Sequence, residues 1–359
     1  MNDLIKDGQV IGGRYKVEHY HAQGGMQLVY KAYDSLTGRT VALKTPKNNS
    51  ATKRFKRSAV VAARVNHPNV AKTLDYVKED GVRFLIEEFI EGADLSKAIL
   101  EHTPSLDPYT AARLFHHLAK GVSAAHHAGV IHRDLKPTNV MVSDDYNLSS
   151  VKVTDFGVAK LAESELEEAA AGGGETMLLS DTAVGALPYM SPEAIETPKK
   201  VTTKADIWSL GALAFQFVTG ALPFGKGLAA VSKIVAGETV ELPAFVLSNP
   251  QFKPLAAQIL ELSASCMTKD PNARPDADEL VILCGNLCYN AAPREQGHVR
   301  HIADHKKWGF IAGPGGDVFF HVSCVYGSPL KLGDKVVYTK HLSGAAGAAP
   351  RAYPVIRYF

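Results

Sequence analysis

Apolar and polar residues alternate along residues 14–45, and glycines separate the alternating runs. This period of two predicts three antiparallel strands joined by turns, with a hairpin connection at residues 35–39. Residues 50–66 have a helical composition, and the pair His67-Pro68 is expected to end that helix. A further strand is predicted over residues 82–89. The first part of the chain is therefore predicted to consist of strands and one helix.

The hydrophobic pattern changes in the second part of the chain. Apolar residues recur at helical spacing over residues 108–128 and 205–219, and residues 226–289 are predicted to be mostly helical with proline-rich joints. Residues 161–183 have no periodicity and are expected to form a long acidic loop. The helical pattern stops at residues 290–296, and the short strand-like runs that follow are typical of a small barrel.

The chain has 359 residues, of which 46% are apolar and 21% are charged. These values exclude a wholly disordered, collagen-like or low-complexity chain, and the length suggests two or three domains. Charge is distributed unevenly. Residues 297–359 carry eight Lys or Arg and three Asp, which gives a net charge of +5. The other residues carry 31 Lys or Arg and 34 Asp or Glu, which gives a net charge of −3. The C-terminal segment is therefore expected to have an anionic partner.

Candidate chemistry is concentrated in the segment His-Arg-Asp-Leu-Lys-Pro-Thr-Asn at residues 132–139. Phosphoryl transfer to a hydroxyl requires a carboxylate that orients the hydroxyl, a cation near the phosphate and oxygen ligands for Mg²⁺. Asp134, Lys136 and Asn139 supply these groups on one loop. Asp155, in a later Asp-Phe-Gly, would bind Mg²⁺, and Lys44, at the end of a Val-Ala-Leu-Lys strand, would reach the α- and β-phosphates.

These motifs, in this order and spacing, resemble the eukaryotic-type (Hanks-type) Ser/Thr protein kinase family in its bacterial members. The resemblance extends over about four-fifths of the chain. Further matches are Gly-Ala-Leu-Pro-Tyr-Met-Ser-Pro-Glu ending at Glu193, Asp-Ile-Trp-Ser-Leu-Gly beginning at Asp206, and Arg274. By similarity, Glu193 would pair with Arg274, and Asp206 would support the loop 132–139 from below.

The resemblance implies a fold class and a set of ligands. The fold would be α+β, a bilobal protein kinase domain over residues 10–289, with an N-lobe at 10–91 and a C-lobe at 92–289. ATP and Mg²⁺, with Mn²⁺ as an alternative, would be the cofactors, and protein hydroxyls would be the substrates. Asp134, Lys136 and Lys44 would be catalytic, and Asn139 and Asp155 would hold the metal. The nucleotide-binding residues would be Ala22, Gln23, Gly24, Gly25, Met26, Val29, Ala42, Lys44, Glu87, Glu88, Ile90 and Met141.

The glycine-rich loop departs from the family pattern. Ala22 and Gln27 stand where the family has glycine, and side chains there restrict the approach of the loop to phosphate. Weaker or altered nucleotide binding is expected, and the alternative is that both residues are tolerated variants.

A second departure concerns the carboxylate that pairs with the lysine. By similarity Ser58 stands at the position of the family's helix glutamate, and residues 45–74 contain no Asp or Glu. We hypothesise that Glu87 pairs with Lys44 instead, since a buried carboxylate requires a partner. The alternative is that Glu87 points to water at the pocket edge. In addition, Ala186 replaces a common threonine, which puts the positioning of the substrate hydroxyl in doubt.

The long acidic loop contains three candidate phosphorylation sites, Thr176, Ser180 and Thr182. A phosphate on one of them would be able to pair with Arg133 and order the loop. Alternatively, the glutamates of this loop dock on the basic residues 47–64 as an inhibitory clamp, or are simply a solvated charge run.

The C-terminal segment combines aromatic and basic residues. Strand alternation places Trp308 and Phe310 on one face of a strand, and Phe319 and His321 on one face of the next. Such a face stacks unpaired bases when basic residues surround it. The predicted basic rim consists of Arg300, Lys306 and Lys307.

Residues 297–359 resemble the cold-shock domain, a small five-stranded OB-like β-barrel, which here would follow a linker at 290–296. The resemblance implies single-stranded RNA or DNA as a partner. His301, Val322 and Lys307 replace an expected Trp, Phe and Gly, so two stacking surfaces are lost. The alternative is that the aromatic residues are partly core and that the barrel docks on the kinase domain.

Two functions are therefore weighed. The first is a Ser/Thr protein kinase, including autophosphorylation, coupled to a module that binds single-stranded nucleic acid. The second is a pseudokinase adaptor that binds RNA and nucleotide without catalysis. The N-terminus lacks the apolar core of a signal peptide, and the most apolar stretch is too short to span a bilayer. A cytoplasmic location without a membrane partner is expected.

Overall fold

A computed structural model describes residues 5–23, 27–47, 62–143, 146–156, 185–343 and 348–359. The N-terminal lobe is a six-stranded antiparallel sheet in the order β1-β2-β3-β4-β6-β5. Its strands are β1 (Val10–Ile11), β2 (Tyr15–Gln23), β3 (Gln27–Asp34), β4 (Arg39–Pro46), β5 (Thr73–Glu79) and β6 (Val82–Glu88).

The strands and the hairpin predicted for the start of the chain are confirmed. β2, β3 and β4 pair in sequence order, and the Asp34 carboxylate accepts a hydrogen bond from the backbone N–H of Leu36 (3.0 Å) in the turn. β6 confirms the strand predicted over residues 82–89. Most of the helix expected over 50–66 lies outside the described residues.

Alternation along β4 gives the N-terminal sheet two different faces. Val41 and Leu43 are buried in the core of the lobe. Ala42 and Lys44 therefore lie on the opposite face, because successive side chains of a strand point to opposite sides.

The C-terminal lobe is mainly helical. Its helices are α1 (Pro108–His127), α2 (Pro192–Glu196), α3 (Lys204–Thr219), α4 (Ala229–Ala236), α5 (Phe245–Ser248), α6 (Lys253–Cys266) and α7 (Ala277–Gly285). A small sheet of β7 (Ala93–Asp94), β8 (Val140–Val142) and β9 (Val151–Val153) accompanies them. The predicted helices at 108–128 and 205–219 are confirmed by α1 and α3, and α4 to α7 confirm the helical character of residues 226–289.

The two long helices begin and end at residues suited to those positions. Asp107 caps α1, since its carboxylate accepts hydrogen bonds from the backbone N–H groups of Tyr109 (3.1 Å) and Thr110 (3.3 Å). α3 ends at Gly220, whose φ of +72° lies in the left-handed region. A Cβ at this position would lie only 2.4 Å from the carbonyl oxygen of Pro104. This close approach requires glycine.

A closed β-sheet follows the C-terminal lobe, as expected for a small barrel. Its strands are β10 (Arg294–Ile302), β11 (Trp308–Gly313), β12 (Gly316–His321), β13 (Val325–Tyr326), β14 (Lys335–His341) and β15 (Arg351–Tyr358). They lie in the order β12-β11-β10-β14-β15-β13, and a pairing of β12 with β15 closes the sheet. The first strand starts at Arg294, within the segment 290–296 that was expected to be a linker.

The barrel packs directly on the C-terminal lobe. The Tyr326 hydroxyl donates to the carbonyl oxygen of Val218 near the end of α3 (2.8 Å), and the hydroxyls of Tyr353 and Tyr109 lie 2.7 Å apart. Buried barrel side chains, including Tyr326, belong to the same apolar core as the helices of the lobe. The docking expected under the alternative interpretation of the barrel is therefore present.

None of the helices in the described parts of the chain combines the length and the apolar character of a membrane-spanning segment.

Candidate functional site

The loop 132–139 is supported from below by a buried carboxylate. Asp206, at the start of α3, accepts hydrogen bonds from the backbone N–H groups of His132 and Arg133, each at 2.8 Å. Oδ2, the oxygen that accepts from His132, also lies 2.8 Å from Nε2 of His126 near the end of α1. Burial raises the pKa of Asp206, but these hydrogen bonds outweigh burial, and the net pKa is below the usual range. The supporting role expected for Asp206 is thus confirmed in its geometry.

The ion pair expected between Glu193 and Arg274 is also present. Arg274 is fully buried and forms two hydrogen bonds with the carboxylate of Glu193, at 2.6 and 2.9 Å. Such a bidentate contact fixes both the distance and the orientation of the two side chains. It ties α2 to the segment that precedes α7.

Asp134, Lys136 and Asn139 are brought together as predicted. Nζ of Lys136 lies 3.0 Å from Oδ2 of Asp134, and the side-chain amide of Asn139 donates to the same oxygen at 2.9 Å. The Asn139 amide also donates to the backbone carbonyl of Asp134 at 2.7 Å. The Asp134 carboxylate is partly exposed and is fixed by two donors, so it is available to a hydroxyl at a defined position.

Lys44 lies between two carboxylates. Its ammonium is 2.7 Å from Oε2 of Glu87 and 2.9 Å from Oδ1 of Asp155. Burial lowers the pKa of Lys44, but the charges of Asp155 and Glu87 outweigh burial and raise the net pKa. Glu87 is only 4% exposed, which excludes the interpretation in which it points to water.

Strand register places other predicted nucleotide-binding residues beside this group. Val29 lies opposite Lys44 on β3, and Ala42 lies opposite Glu87. Ala22 in turn lies opposite Val29 on β2. These residues line the same region of the sheet.

The remaining predicted nucleotide-binding residues occupy the strands and the connection around this region. Gln23 ends β2, Glu88 ends β6, Ile90 follows that strand, and Met141 lies in β8. The Glu88 carboxylate is itself engaged, because Nζ of Lys152 lies 2.9 Å from it. Gly24, Gly25 and Met26 lie outside the described residues.

Gln27 was not among the predicted nucleotide-binding residues, although its position was noted as a departure from glycine. It is 5% exposed, and its side-chain oxygen has no hydrogen-bond partner. It lies opposite Pro46, two residues beyond Lys44, and therefore on the same face of the sheet. The glycine motif was the available signal, but burial of the amide could not be inferred from it.

Asn139 and Asp155 are neighbours that offer oxygen ligands. The backbone N–H of Thr154 donates to the carbonyl of Asn139 (2.9 Å), which places the two side chains in adjacent segments. The Asn139 amide nitrogen is engaged by Asp134, so its amide oxygen is the atom that remains for a ligand. Within the described ranges no group of three or more His, Cys, Asp or Glu side chains is arranged to hold a metal. Two protein oxygens completed by substrate phosphates suit Mg²⁺.

The aromatic face predicted on the barrel is present. Trp308 lies opposite His321, and Phe310 lies opposite Phe319. The ring centroids of Trp308, Phe310 and Phe319 are 5.8 to 6.0 Å apart from one another. His301, at the position of an expected Trp, lies 5.8 Å from the Trp308 ring and extends the face.

Gly309 allows close packing of the strands beneath the aromatic face. It lies between Trp308 and Phe310 and points to the barrel interior. A Cβ there would lie 2.2 Å from the carbonyl oxygen of His301 and 2.7 Å from the ring of Phe320. The glycine therefore allows β10 and the core ring to approach β11.

The basic rim is only partly available. The side chains of Lys306 and Lys307 are exposed. Arg300 instead forms an ion pair with Asp317, with two contacts of 3.0 Å, which the sequence analysis did not anticipate. An anion would have to compete with Asp317 for this guanidinium.

The aromatic face and the docking surface of the barrel use different side chains. Docking involves Tyr326 and Tyr353, whereas the face carries Trp308 and its neighbours. His321 lies at the boundary, because its Nδ1 is 2.8 Å from Oγ of Ser323, and that oxygen accepts a hydrogen bond from the Gln251 amide (3.0 Å) in the lobe. Both parts of the alternative are therefore present, since the barrel docks on the lobe and the rings of Trp308, Phe310 and Phe319 are half-buried, but the docking contacts leave these rings free.

Thr176, Ser180 and Thr182, together with Ser58, lie outside the described residues, and so does most of the basic segment 47–64. The phosphorylation and clamp hypotheses stay predictions.

Comparison with known proteins identifies relatives of most of the chain. A family model described as "Protein kinase domain" matches residues 15–282. The chain is 31% identical over 277 residues to the serine/threonine-protein kinase PrkC of Bacillus subtilis, an alignment that covers 76% of this chain and 40% of the relative. It is 32% identical over 279 residues to the serine/threonine-protein kinase pkn3 of Myxococcus xanthus, which covers 76% and 49%. The chain thus spans two-fifths to one half of the length of these relatives.

A solved structure, titled "Crystal structure of Rad53 1-466 in complex with AMP-PNP", is similar with a TM-score of 0.57. The similarity covers 75% of this chain and 64% of that chain at 24% identity. At this level of identity it shows the shared fold alone.

Proposed function

The chain belongs to the protein kinase family, and from this premise we propose that it transfers the γ-phosphate of ATP to Ser and Thr hydroxyls of proteins, its own included. One observation carries the proposal. The Asp134 carboxylate is held by Lys136 and Asn139 on a loop whose backbone is fixed by Asp206. This arrangement provides the oriented carboxylate and the nearby cation that phosphoryl transfer to a hydroxyl requires.

Each side chain has a definite task in this proposal. Asp134 orients the substrate hydroxyl and accepts its proton as the hydroxyl oxygen bonds to the γ-phosphorus and the bond to the β,γ-bridging oxygen breaks. Lys136 stabilises negative charge on the transferring group, and Lys44 binds the α- and β-phosphates. Asn139 and Asp155 would hold Mg²⁺, or Mn²⁺, which when bound neutralises phosphate charge.

The rival proposal is a pseudokinase adaptor. Ala22, Gln27 and Ser58 favour it, because they depart from the family pattern at the phosphate loop and at the helix carboxylate. The intact group of Asp134 with its two donors, and the charge pairing of Lys44, favour catalysis.

A transfer assay separates the two functions. Purified protein is incubated with labelled ATP and Mg²⁺, beside Asp134→Asn and beside Asp304→Asn, which changes an exposed carboxylate of the barrel. We expect label on wild type and Asp304→Asn and none on Asp134→Asn. Binding of ATP without any label on wild type would favour the adaptor.

We propose, as a second function, that the barrel is of the cold-shock type and binds single-stranded RNA or DNA on its aromatic face. The close grouping of the half-buried Trp308, Phe310 and Phe319 supports this, because aromatic rings on adjacent strands that remain partly accessible stack bases. The exposed Lys306 and Lys307 and the net charge of +5 are suited to a phosphate backbone. Fluorescence anisotropy with labelled single-stranded RNA and DNA oligomers tests the proposal. If neither oligomer binds, the proposal is rejected.

The cytoplasmic location expected from the sequence stays a prediction, which cell fractionation would test.

A further inference from the structure

We propose that Glu87 is a positioning residue that holds Lys44 permanently, while Asp155 exchanges its contact with Lys44 for a divalent cation. The inference rests on the proposed transfer reaction and concerns how its lysine is kept in place. Four observations support it: the strand register, the burial of the pair, the local balance of charge and the lack of any other acid at residues 45–74.

Register makes Glu87 part of the same rigid unit as Lys44. β4 and β6 are neighbouring strands, with Ala42 opposite Glu87 and Lys44 opposite Leu85. Glu87 and Lys44 are therefore diagonal neighbours on one face of one sheet, a separation that long side chains can bridge. Asp155 follows β9, which belongs to the small sheet of the other lobe. A movement between the lobes would change the contact of Lys44 with Asp155 and leave its contact with Glu87 intact.

Burial makes the contact costly to lose. The side chains of Lys44 and Glu87 are 9% and 6% exposed, and their charged atoms are 2.7 Å apart. A buried ammonium without a carboxylate partner is strongly destabilised. When Asp155 binds a cation, Glu87 keeps Lys44 compensated and in place.

The charge balance leaves Asp155 available. One ammonium lies between two carboxylates, so the group carries one negative charge in excess when all three are ionised. Without Glu87, Asp155 would be the carboxylate that pairs with Lys44, and its binding of a divalent cation would leave the buried ammonium unpaired. By keeping Lys44 paired, Glu87 leaves the Asp155 carboxylate available to a divalent cation.

The sequence removes the other source of a carboxylate. Residues 45–74, between β4 and Asp75, contain no Asp or Glu. Within the described residues, the carboxylates that hold Lys44 are therefore Glu87 of its own sheet and Asp155.

The test compares Glu87→Gln and Glu87→Met with wild type. The matched control is Glu18→Gln, since Glu18 pairs with Lys31 of the same sheet at 3.8 Å in an exposed position. For each protein we would measure the affinity for Mg²⁺·ATP by calorimetry, kcat and KM for ATP, and the Mg²⁺ concentration giving half-maximal activity. Thermal unfolding of each variant establishes that it is folded.

We expect Glu87→Gln to lower kcat/KM for ATP about tenfold or more, the size of effect of one charge-assisted hydrogen bond. The half-saturating Mg²⁺ concentration should rise, Glu87→Met should be at least as impaired, and Glu18→Gln should stay within about twofold of wild type. A merely structural role would lower thermal stability without changing the Mg²⁺ requirement.

Values for Glu87→Gln and Glu87→Met within about twofold of wild type in affinity, kcat/KM and Mg²⁺ requirement would overturn the inference. If wild type transfers no phosphate, the proposed function fails separately. The calorimetric affinity for Mg²⁺·ATP then still decides the role of Glu87, because it requires no turnover.

Discussion

One nitrogen of the Arg294 guanidinium lies 3.0 and 2.9 Å from the two carboxylate oxygens of Asp107. The side chains are 6% and 0% exposed, so the ion pair is buried. Arg294 belongs to the first strand of the barrel and Asp107 caps helix α1 of the C-terminal lobe. The same nitrogen donates to the Thr110 hydroxyl (2.8 Å), in the first turn of α1. The junction of barrel and lobe is therefore held by charge as well as by apolar packing.

Arg294→Met is expected to lower the free energy of unfolding by ~3–5 kcal/mol, because it leaves the Asp107 carboxylate buried without its partner. Urea unfolding followed by tryptophan fluorescence measures this. Arg300→Met is the matched control, since the Arg300–Asp317 pair is 64% and 42% exposed. Its cost is expected to be about 0–1 kcal/mol. Equal losses for the two variants would contradict the importance of the buried pair.

Asp206→Asn is expected to lower kcat more than it raises KM for ATP. The carboxylate accepts three hydrogen bonds that fix His132, Arg133 and His126. Hydrogen bonds to charged groups contribute about 1.5–3 kcal/mol each, and the amide can no longer accept at both positions. Steady-state kinetics measure the changes in kcat and in KM for ATP separately. An unchanged kcat in a folded variant would show that the loop 132–139 does not need this support.

His117 makes stability sensitive to mild acid. Burial, assisted by the charge of Arg113, lowers its pKa to about 4, and its Nδ1 accepts a hydrogen bond from the Asn69 amide (3.2 Å). Between the ordinary pKa of histidine, about 6.5, and this value, the unfolded chain binds a proton that the folded chain does not. Stability therefore falls as the pH drops through this range.

His117→Gln is expected to reduce that fall, because glutamine does not titrate. The measurement is the urea midpoint at pH 7 and pH 5, with the exposed His102→Gln as control. The same fall in wild type and His117→Gln would contradict the prediction.

Trp308→Ala is expected to weaken binding of single-stranded oligonucleotides by about 1–3 kcal/mol, the cost of losing one stacking surface. Tyr33→Ala, which removes an exposed ring from the N-terminal sheet, is the control. Anisotropy titrations at two salt concentrations would separate stacking from phosphate contacts, since only the latter weaken steeply with salt. Equal affinities for wild type and Trp308→Ala would remove the aromatic face as the binding site.

Short-range regularities explain what could be predicted. β2 to β4, α1 and α3 follow from hydrophobic periodicity, which is a property of neighbouring residues. The aromatic face could be predicted for the same reason, since alternation alone places Trp308 and Phe310 on one side of a strand. The pair of Lys44 and Glu87 could be anticipated because residues 45–74 offer no other acid.

Long-range packing explains what could not be predicted. Tyr109 and Tyr353 are separated by 244 residues, and no local pattern indicates that their hydroxyls meet. The engagement of Arg300 by Asp317 depends on the register of three strands, and the burial of Gln27 depends on how the sheet is covered. Each of these is set by the tertiary arrangement.

Helix α1 begins beside Arg294 and ends beside Asp206. Its 20 residues extend ~30 Å at 1.5 Å per residue. α3 runs the other way, from Asp206 to the carbonyl of Val218 that Tyr326 contacts. Whatever the barrel carries is therefore kept at a constant offset from residue 134. A partner bound to the barrel therefore has to span that distance with its own length, because buried contacts hold the barrel against the lobe.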